Sequence, residues 1–290
     1  MFNIKSCDLC PRKCGADRTV GHGLCFGGKN AKISKVMRHK WEEPCICGNA
    51  GTGAVFFSGC SLGCVYCQNK DISRGIAGTE YTVPELADLF CEINESGAAS
   101  LDLVSPSHYA VQVNEAFEMC SMTIPVVYNV GGYELSSTVS DYMSHADVFL
   151  TDFKYGSADT GKKYSDAPDY PEIAAEALRA MYQITGDTEY GDDGILRRGI
   201  VLRHLVLPGE RRDSVKALEL AASAVPPEKV ILSLMRQYTP DFAPKEYKNL
   251  TRRVTTFEYN YVLDAAVEMG FSGYSQDADS ASAAYTPDFS

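Results

Sequence analysis

Three cysteines, Cys60, Cys64 and Cys67, are separated by three and then two residues. One loop can wrap thiolates at that spacing around one metal centre. Three is one short of the four that usually hold a cubane iron–sulfur cluster, so one iron stays open to another ligand. Gly59 and Gly63 allow the backbone turns such a loop needs. A zinc knuckle is the competing reading, but zinc wants a fourth ligand nearby and the loop supplies none.

A second group lies near the N-terminus: Cys7, Cys10, Cys14 and, after a Gly-containing loop, Cys25. Four thiols make a closed set that suits structural zinc or a second iron–sulfur cluster, and spacing does not choose between them. His22, inside the loop, is an alternative ligand or a solvent-exposed side chain. Cys45 and Cys47 read as buried thiols, with ligation at the N-terminal metal site or reactivity near the cluster as alternatives, and Cys91 reads as a small core filler in a helix.

The chain has 290 residues and a net charge of −11, with 45% apolar residues. That length supports one large domain with a small appendage, here residues 1–50 as a cysteine-rich module and connector and 51–290 as the main domain. No apolar run approaches the roughly 20 residues that span a bilayer, and residues 1–6 lack the apolar core of a signal peptide. The expectation is a cytoplasmic protein whose cysteines are thiols or metal ligands, not disulfides. The acidic balance argues against a protein that grips nucleic-acid phosphates.

The positioning elements follow from periodicity. Residues 31–37 alternate and read as an edge strand. Residues 54–58 form a short apolar strand that runs into the Cys60 loop. Thr82 caps a helix with Pro84 and Glu85 in its first turn and Leu86, Leu89, Phe90 and Ile93 on its apolar face. Strands are then expected over 100–104, 124–130, 147–153, 200–207 and 230–235. Helices are expected over 109–120, 135–143, 173–184, 212–225 and 257–269. Alternating apolar strands and helices argue for an α/β fold with a parallel sheet covered by helices. Six such strands, counted from Val55, match an open, partial (β/α)6 TIM-like barrel. Polar residues gather at the strand ends: Ser105, Ser107 and His108; Asn129 and Glu134; Asp152 and Lys154; Arg203 and His204; Gln237 and Tyr238. In barrels that edge carries the chemistry.

The Cys-x3-Cys-x2-Cys spacing, with aromatic Tyr66 before the last cysteine, resembles the radical S-adenosylmethionine (SAM) superfamily. Stretches 7–11, 41–45, 57–60, 104–109, 128–129, 152–155, 203–209 and 285–289 together resemble the group related to pyruvate formate-lyase activating enzyme. The resemblance implies a partial barrel of the radical SAM type and a [4Fe–4S] cluster on Cys60, Cys64 and Cys67. SAM's amino and carboxylate groups chelate the open iron there. One electron cleaves SAM to methionine and a 5'-deoxyadenosyl radical.

By position, the resemblance also puts Tyr66 against the adenine, Asn129 where the family has a ribose-binding aspartate, and Arg203 where it has an arginine for the SAM carboxylate. Ser105, Ser107 and His108 replace a Gly-Gly-Glu segment that meets the SAM amino group; their hydroxyls and imidazole offer comparable hydrogen bonds. Gln237 and Tyr238 replace a region that supplies a ribose-contacting histidine. The implied reaction is hydrogen abstraction from a glycine of a partner glycyl radical enzyme. Radical modification of another peptide or a small molecule, and a non-catalytic iron–sulfur carrier, are the alternatives. A protein or peptide substrate and a flavodoxin or ferredoxin donor are the expected partners, with Lys70 and Arg74 as candidates for a basic rim or else solvated side chains.

Overall fold

The computed structural model describes residues 2–276; the 285–289 stretch of the resemblance lies outside them. In chain order the elements are β1 (Ala31–His39), α1 (Pro44–Cys47), β2 (Thr52–Phe57), α2 (Lys70–Ser73), β3 (Thr79–Tyr81), α3 (Val83–Glu95), β4 (Leu101–Val104), α4 (Ala110–Phe117), β5 (Val126–Val130), α5 (Ser136–Tyr142) and β6 (Val148–Asp152). They continue with α6 (Ala158–Ser165), α7 (Tyr170–Thr185), β7 (Glu189–Tyr190), β8 (Leu196–Leu205), α8 (Arg211–Ala224), β9 (Ile231–Met235), α9 (Thr256–Glu268) and β10 (Ser272–Ser275). Among the described residues no helix is long and apolar enough to cross a membrane.

One sheet organises them in the order β10-β9-β8-β6-β5-β4-β2-β1-β3. The strands from β2 to β10 on this path are parallel. That is one parallel strand more than expected, because β10 is a short Gly-containing segment with no apolar run to announce it. β1 is not the edge strand expected: it pairs antiparallel with β2 on one side and with β3 on the other. β1 therefore ties the segment before residue 50 into the main sheet by backbone hydrogen bonds.

Side-chain alternation divides the parallel strands into two faces. One set, including Leu103, Tyr128, Phe149, Leu202 and Leu232, packs into the larger core with the helices. The other set, Val127, Val148, Leu150, Val201 and Ile231, packs with Cys45 and Ile46 of α1. Burying each such side chain contributes about 1.5–3 kcal/mol. Helix α1 thus covers the second face with apolar atoms. A single cavity beyond it is lined by Phe56, Val104, Asn129, Asp152, Arg203 and Met235. Those residues come from six successive parallel strands. Strands lie about 4.8 Å apart, so a flat sheet would spread them over roughly 24 Å. The sheet curls around the cavity, and its two end strands do not pair with each other.

Helix α3 starts as its sequence dictates. Thr82 and Glu85 form a capping box, and Leu86, Phe90 and Ile93 are buried. Cys91 departs from expectation. It is disulfide-bonded to Cys120 beyond α4, with the two Cα atoms 6.0 Å apart. The side-by-side packing of α3 and α4 brings the two sulfurs within bonding reach, which the sequence pattern does not show.

Candidate active site

The cavity measures about 260 Å³, near the lower end of ligand-pocket sizes, ~300 Å³. Cys60, Cys64 and Cys67 all line it, as do Tyr66, Ser105, Ser107, His108, Asn129 and Arg203. The carboxyl ends of the curled strands thus bring every one of these predicted side chains to one space. Burial pushes the Cys60 thiol up and the Cys67 thiol up to about 12.

The loop is held by its own backbone. Gly59 has φ +100°, and a Cβ there would meet the Cys25 carbonyl oxygen at 2.1 Å, so glycine is required. The Cys60 amide donates to that same carbonyl at 3.2 Å. Gly63 also adopts positive φ. Two hydroxyls then converge on Cys64, and a third backs one of them. Ser165 donates to its sulfur at 3.1 Å, Tyr155 OH lies 3.6 Å from it, and Tyr66 OH donates to Tyr155 at 3.0 Å. Tyr66 itself is buried, edge-on to Tyr164 and Tyr238.

Two arginines of the N-terminal segment fasten this loop, and neither stood out in the sequence. Arg12 donates to the carbonyls of Ser61, Leu62, Ser165 and Asp166, joining the cysteine loop to the end of α6. Arg18, 1% exposed, donates to the carbonyls of Gly28 and His108 and lies over the Tyr109 ring. The N-terminal Cys7, Cys10, Cys14 and Cys25 border a second cavity of about 10 Å³ next to Arg12, Arg18 and His108. Burial raises the Cys25 thiol and pushes Cys10 up to about 12. Among the described residues no group of three or more His, Cys, Asp or Glu side chains is arranged to hold a single metal ion. In both cysteine groups the thiols border a space without being drawn to one point. Cys45 and Cys47 are buried; Cys47 donates to the Glu42 carbonyl at 3.2 Å. His22 faces its neighbour's carbonyl and the Phe26 ring.

The cavity floor is a charge network centred on Arg203. Its guanidinium donates to Asn129 Oδ1 at 2.5 Å and to Asp152 Oδ1 at 3.1 Å, and it pairs with Glu42 at 3.5 Å. Lys154 also pairs with Asp152. Burial pushes Asp152 up, but Arg203 and Lys154 outweigh it and hold the carboxyl below its usual value. Glu42 and Asp102 fare otherwise. Burial drives Glu42 well up, with the Asp102 charge adding to the rise. Burial pushes Asp102 up to about 7 against the pull of Arg203 and Asn129. Asn129 Nδ2 donates to Asp102 Oδ2 at 3.5 Å, and Asp102 Oδ1 has no partner. Arg203 and Lys154 together do not neutralise three buried carboxylates. Asp102 was missed although its signal was present: it is a lone charge inside the apolar run Leu101–Val104.

The serine-histidine turn is partly committed to the protein itself. Ser107 donates to Glu134 Oε1 at 2.8 Å. His108 is 3% exposed and its Nε2 meets the Ser58 carbonyl at 2.9 Å. Burial pushes this imidazole down to about 4, so it is neutral near pH 7. Ser105 adopts φ +59° at the cavity wall, a conformation that costs a serine about 1–2 kcal/mol. His204 points away from the site, with Nδ1 2.6 Å from the Phe153 carbonyl. Gln237 and Tyr238 line the cavity; the Tyr238 hydroxyl is spent on the Leu250 carbonyl.

No protein-family model matches the chain. It is 25% identical over 275 residues to a protein of Methanocaldococcus jannaschii named Uncharacterized protein MJ0674, covering 91% of this chain and 75% of that one. It also superposes on the crystal structure of methylornithine synthase (PylB) with a TM-score of 0.49 and 14% identity over 75% of this chain. The chain spans 62% of the length of that structure.

Proposed function

We propose that the protein is a radical SAM enzyme whose cluster is held by Cys60, Cys64 and Cys67. The observation that carries this reading is their convergence on one cavity with the strand-end polar residues, inside a curled, open parallel sheet. The donor set fits the group: three thiols, no fourth cysteine among the residues lining the cavity, and adjoining space for a nucleotide. A [4Fe–4S] cluster bound there supplies one electron that cleaves SAM to methionine and a 5'-deoxyadenosyl radical.

The chain's own residues have separable tasks in this reading. Ser165 and Tyr155 hold the Cys64 sulfur. Lys154 sets a positive charge near Cys60 that favours its thiolate against the effect of burial. Arg203 takes the carboxylate of the nucleotide's amino-acid end. Tyr66 and Asn129 face the nucleoside. The hydrogen donor is a glycine of a partner glycyl radical enzyme, and the electron comes from a flavodoxin or ferredoxin. Cys7, Cys10, Cys14 and Cys25 form a second, closed metal site, an iron–sulfur cluster or zinc.

Anaerobically reconstituted protein, assayed for iron and sulfide and then mixed with dithionite and SAM, tests the core of the reading. Formation of 5'-deoxyadenosine is expected; none at full cluster loading identifies an iron–sulfur carrier. With candidate glycyl radical partners, electron paramagnetic resonance should show a glycyl doublet. SAM cleavage without that doublet, with a modified peptide or small molecule found by mass spectrometry, replaces the substrate and leaves the chemistry standing.

A further inference from the structure

Glu134 follows β5 in the turn above the cavity, lines that cavity and is 3% exposed. Its two carboxylate oxygens are treated differently. Oε1 accepts from the Ser107 hydroxyl at 2.8 Å, and Oε2 is buried without a hydrogen-bond partner. Such an acceptor, buried and unmet, is costly, and a ligand donor recovers that cost. The cations near it are already engaged: Lys154 by Asp152, and Arg203 by Asp152 and Glu42. Asp152 and Glu42 line the same cavity, and Asp152 acts on Glu134 against the opposing charge of Lys154, so what the unmet oxygen lacks is a hydrogen-bond donor.

We propose that Glu134 accepts a hydrogen bond from the amino group of the ligand's amino-acid end, with Ser107 fixing the carboxylate so that Oε2 faces the ligand. This deepens the radical SAM reading and rests on it. It moves the amino-group contact from the serine-histidine turn to the following strand's loop. Ser107 acts through Glu134 as a positioning residue. His108 makes no part of this contact, since its Nε2 is held at the Ser58 carbonyl.

The test compares two probes on anaerobic, cluster-loaded protein by calorimetry. S-adenosylhomocysteine carries the amino-acid end; 5'-methylthioadenosine keeps the nucleoside and thioether without it. Glu134→Gln keeps the shape and removes the charge. It should weaken S-adenosylhomocysteine about 10- to 100-fold, the loss of one charge-assisted hydrogen bond, and leave methylthioadenosine within about twofold. Ser107→Ala should weaken S-adenosylhomocysteine by a smaller factor with the same selectivity. Unchanged S-adenosylhomocysteine binding in Glu134→Gln, or equal weakening of both probes, overturns the assignment, the latter by marking Glu134 as structural. If wild-type protein binds neither probe, the SAM reading itself fails and the assignment falls with it. Methylthioadenosine binding also reports that each variant is folded.

Discussion

Replacing Asp102 with asparagine should make the protein more stable, and more so as pH rises. Asp102 is fully buried in β4, with one oxygen unpartnered and the other 3.5 Å from the Asn129 amide. Burial moves its carboxyl from the ordinary 3.8 to about 7. That rise corresponds to about 4 kcal/mol between the two protonation states. The folded chain keeps the proton longer than the unfolded chain. The group therefore contributes stability that is full below about pH 4 and is lost as pH climbs to about 7. Between pH 5 and pH 8 about 3 kcal/mol of that loss develops in the wild type. Asparagine does not titrate, so the variant escapes it. At about 2 °C per kcal/mol for a chain of this size, the Tm difference between variant and wild type should grow by about 5 °C from pH 5 to pH 8. Thermal unfolding of anaerobic protein at the two pH values measures it, and constant effects of the substitution cancel in the double difference. A Tm difference that stays flat, or shrinks with pH, refutes the reasoning. Asp102 would then be an anion already satisfied by Arg203.

Cys64→Ala should abolish 5'-deoxyadenosine formation and lower bound iron. Cys91→Ala should leave both nearly intact while lowering stability by about 3 kcal/mol, because it opens the link to Cys120 across 29 residues; urea unfolding beside the activity assay separates the two effects. Ser165→Ala removes a hydrogen bond to the Cys64 sulfur and should shift the cluster's reduction potential to more negative values, read by redox titration under electron paramagnetic resonance. Arg203→Ala leaves Glu42 without its cation and Asp152 with Lys154 alone, and should cost about 3 kcal/mol by chemical unfolding. Arg203→Lys should not restore it, since a single ammonium does not reach Asn129, Asp152 and Glu42 together.

The legible parts of the fold are those where one local force decides. Apolar runs placed β5, β6, β8 and β9 to within a few residues, and the Thr82–Glu85 capping box placed the start of α3. Helix α6 was missed because Gly161, Lys162 and Lys163 interrupt its apolar pattern; the cap that starts it, Ser157 accepting from Thr160, is its main local signal. β1 was misplaced because alternation does not distinguish an edge strand from one covered by a three-residue partner. The site shows the same division. Cysteine spacing and the rule of strand carboxyl ends gathered the right side chains around one cavity. Partner choice was not legible: Ser107 with Glu134, Asn129 with Asp102 and Arg203, and Cys91 with Cys120 all depend on tertiary approach.

The same dependence explains Arg12 and Arg18. In the sequence they are ordinary charges in a polar segment. In the fold each spends its guanidinium on backbone carbonyls, which carry no sequence signature as acceptors. Arg12 ties Ser61 and Leu62 to Ser165 and Asp166, and Ser165 is the residue that donates to Cys64. Arg18 holds the His108 carbonyl, and the His108 ring meets the Ser58 carbonyl just before the cysteine loop. The Cys60 amide meanwhile rests on the Cys25 carbonyl. The N-terminal cysteine segment is thus bonded to the candidate cluster loop through Arg12 and the Cys25 carbonyl, and to the neighbouring serine-histidine turn through Arg18. Arg12→Ala, which removes no thiol, should leave the loop's sulfurs in place but less firmly held. It should show as faster loss of iron to a chelator, with the initial iron content nearly unchanged. Release at the wild-type rate would mean that the loop holds its shape through Gly59 and Gly63 alone, and that the N-terminal segment is a neighbour without a positioning role.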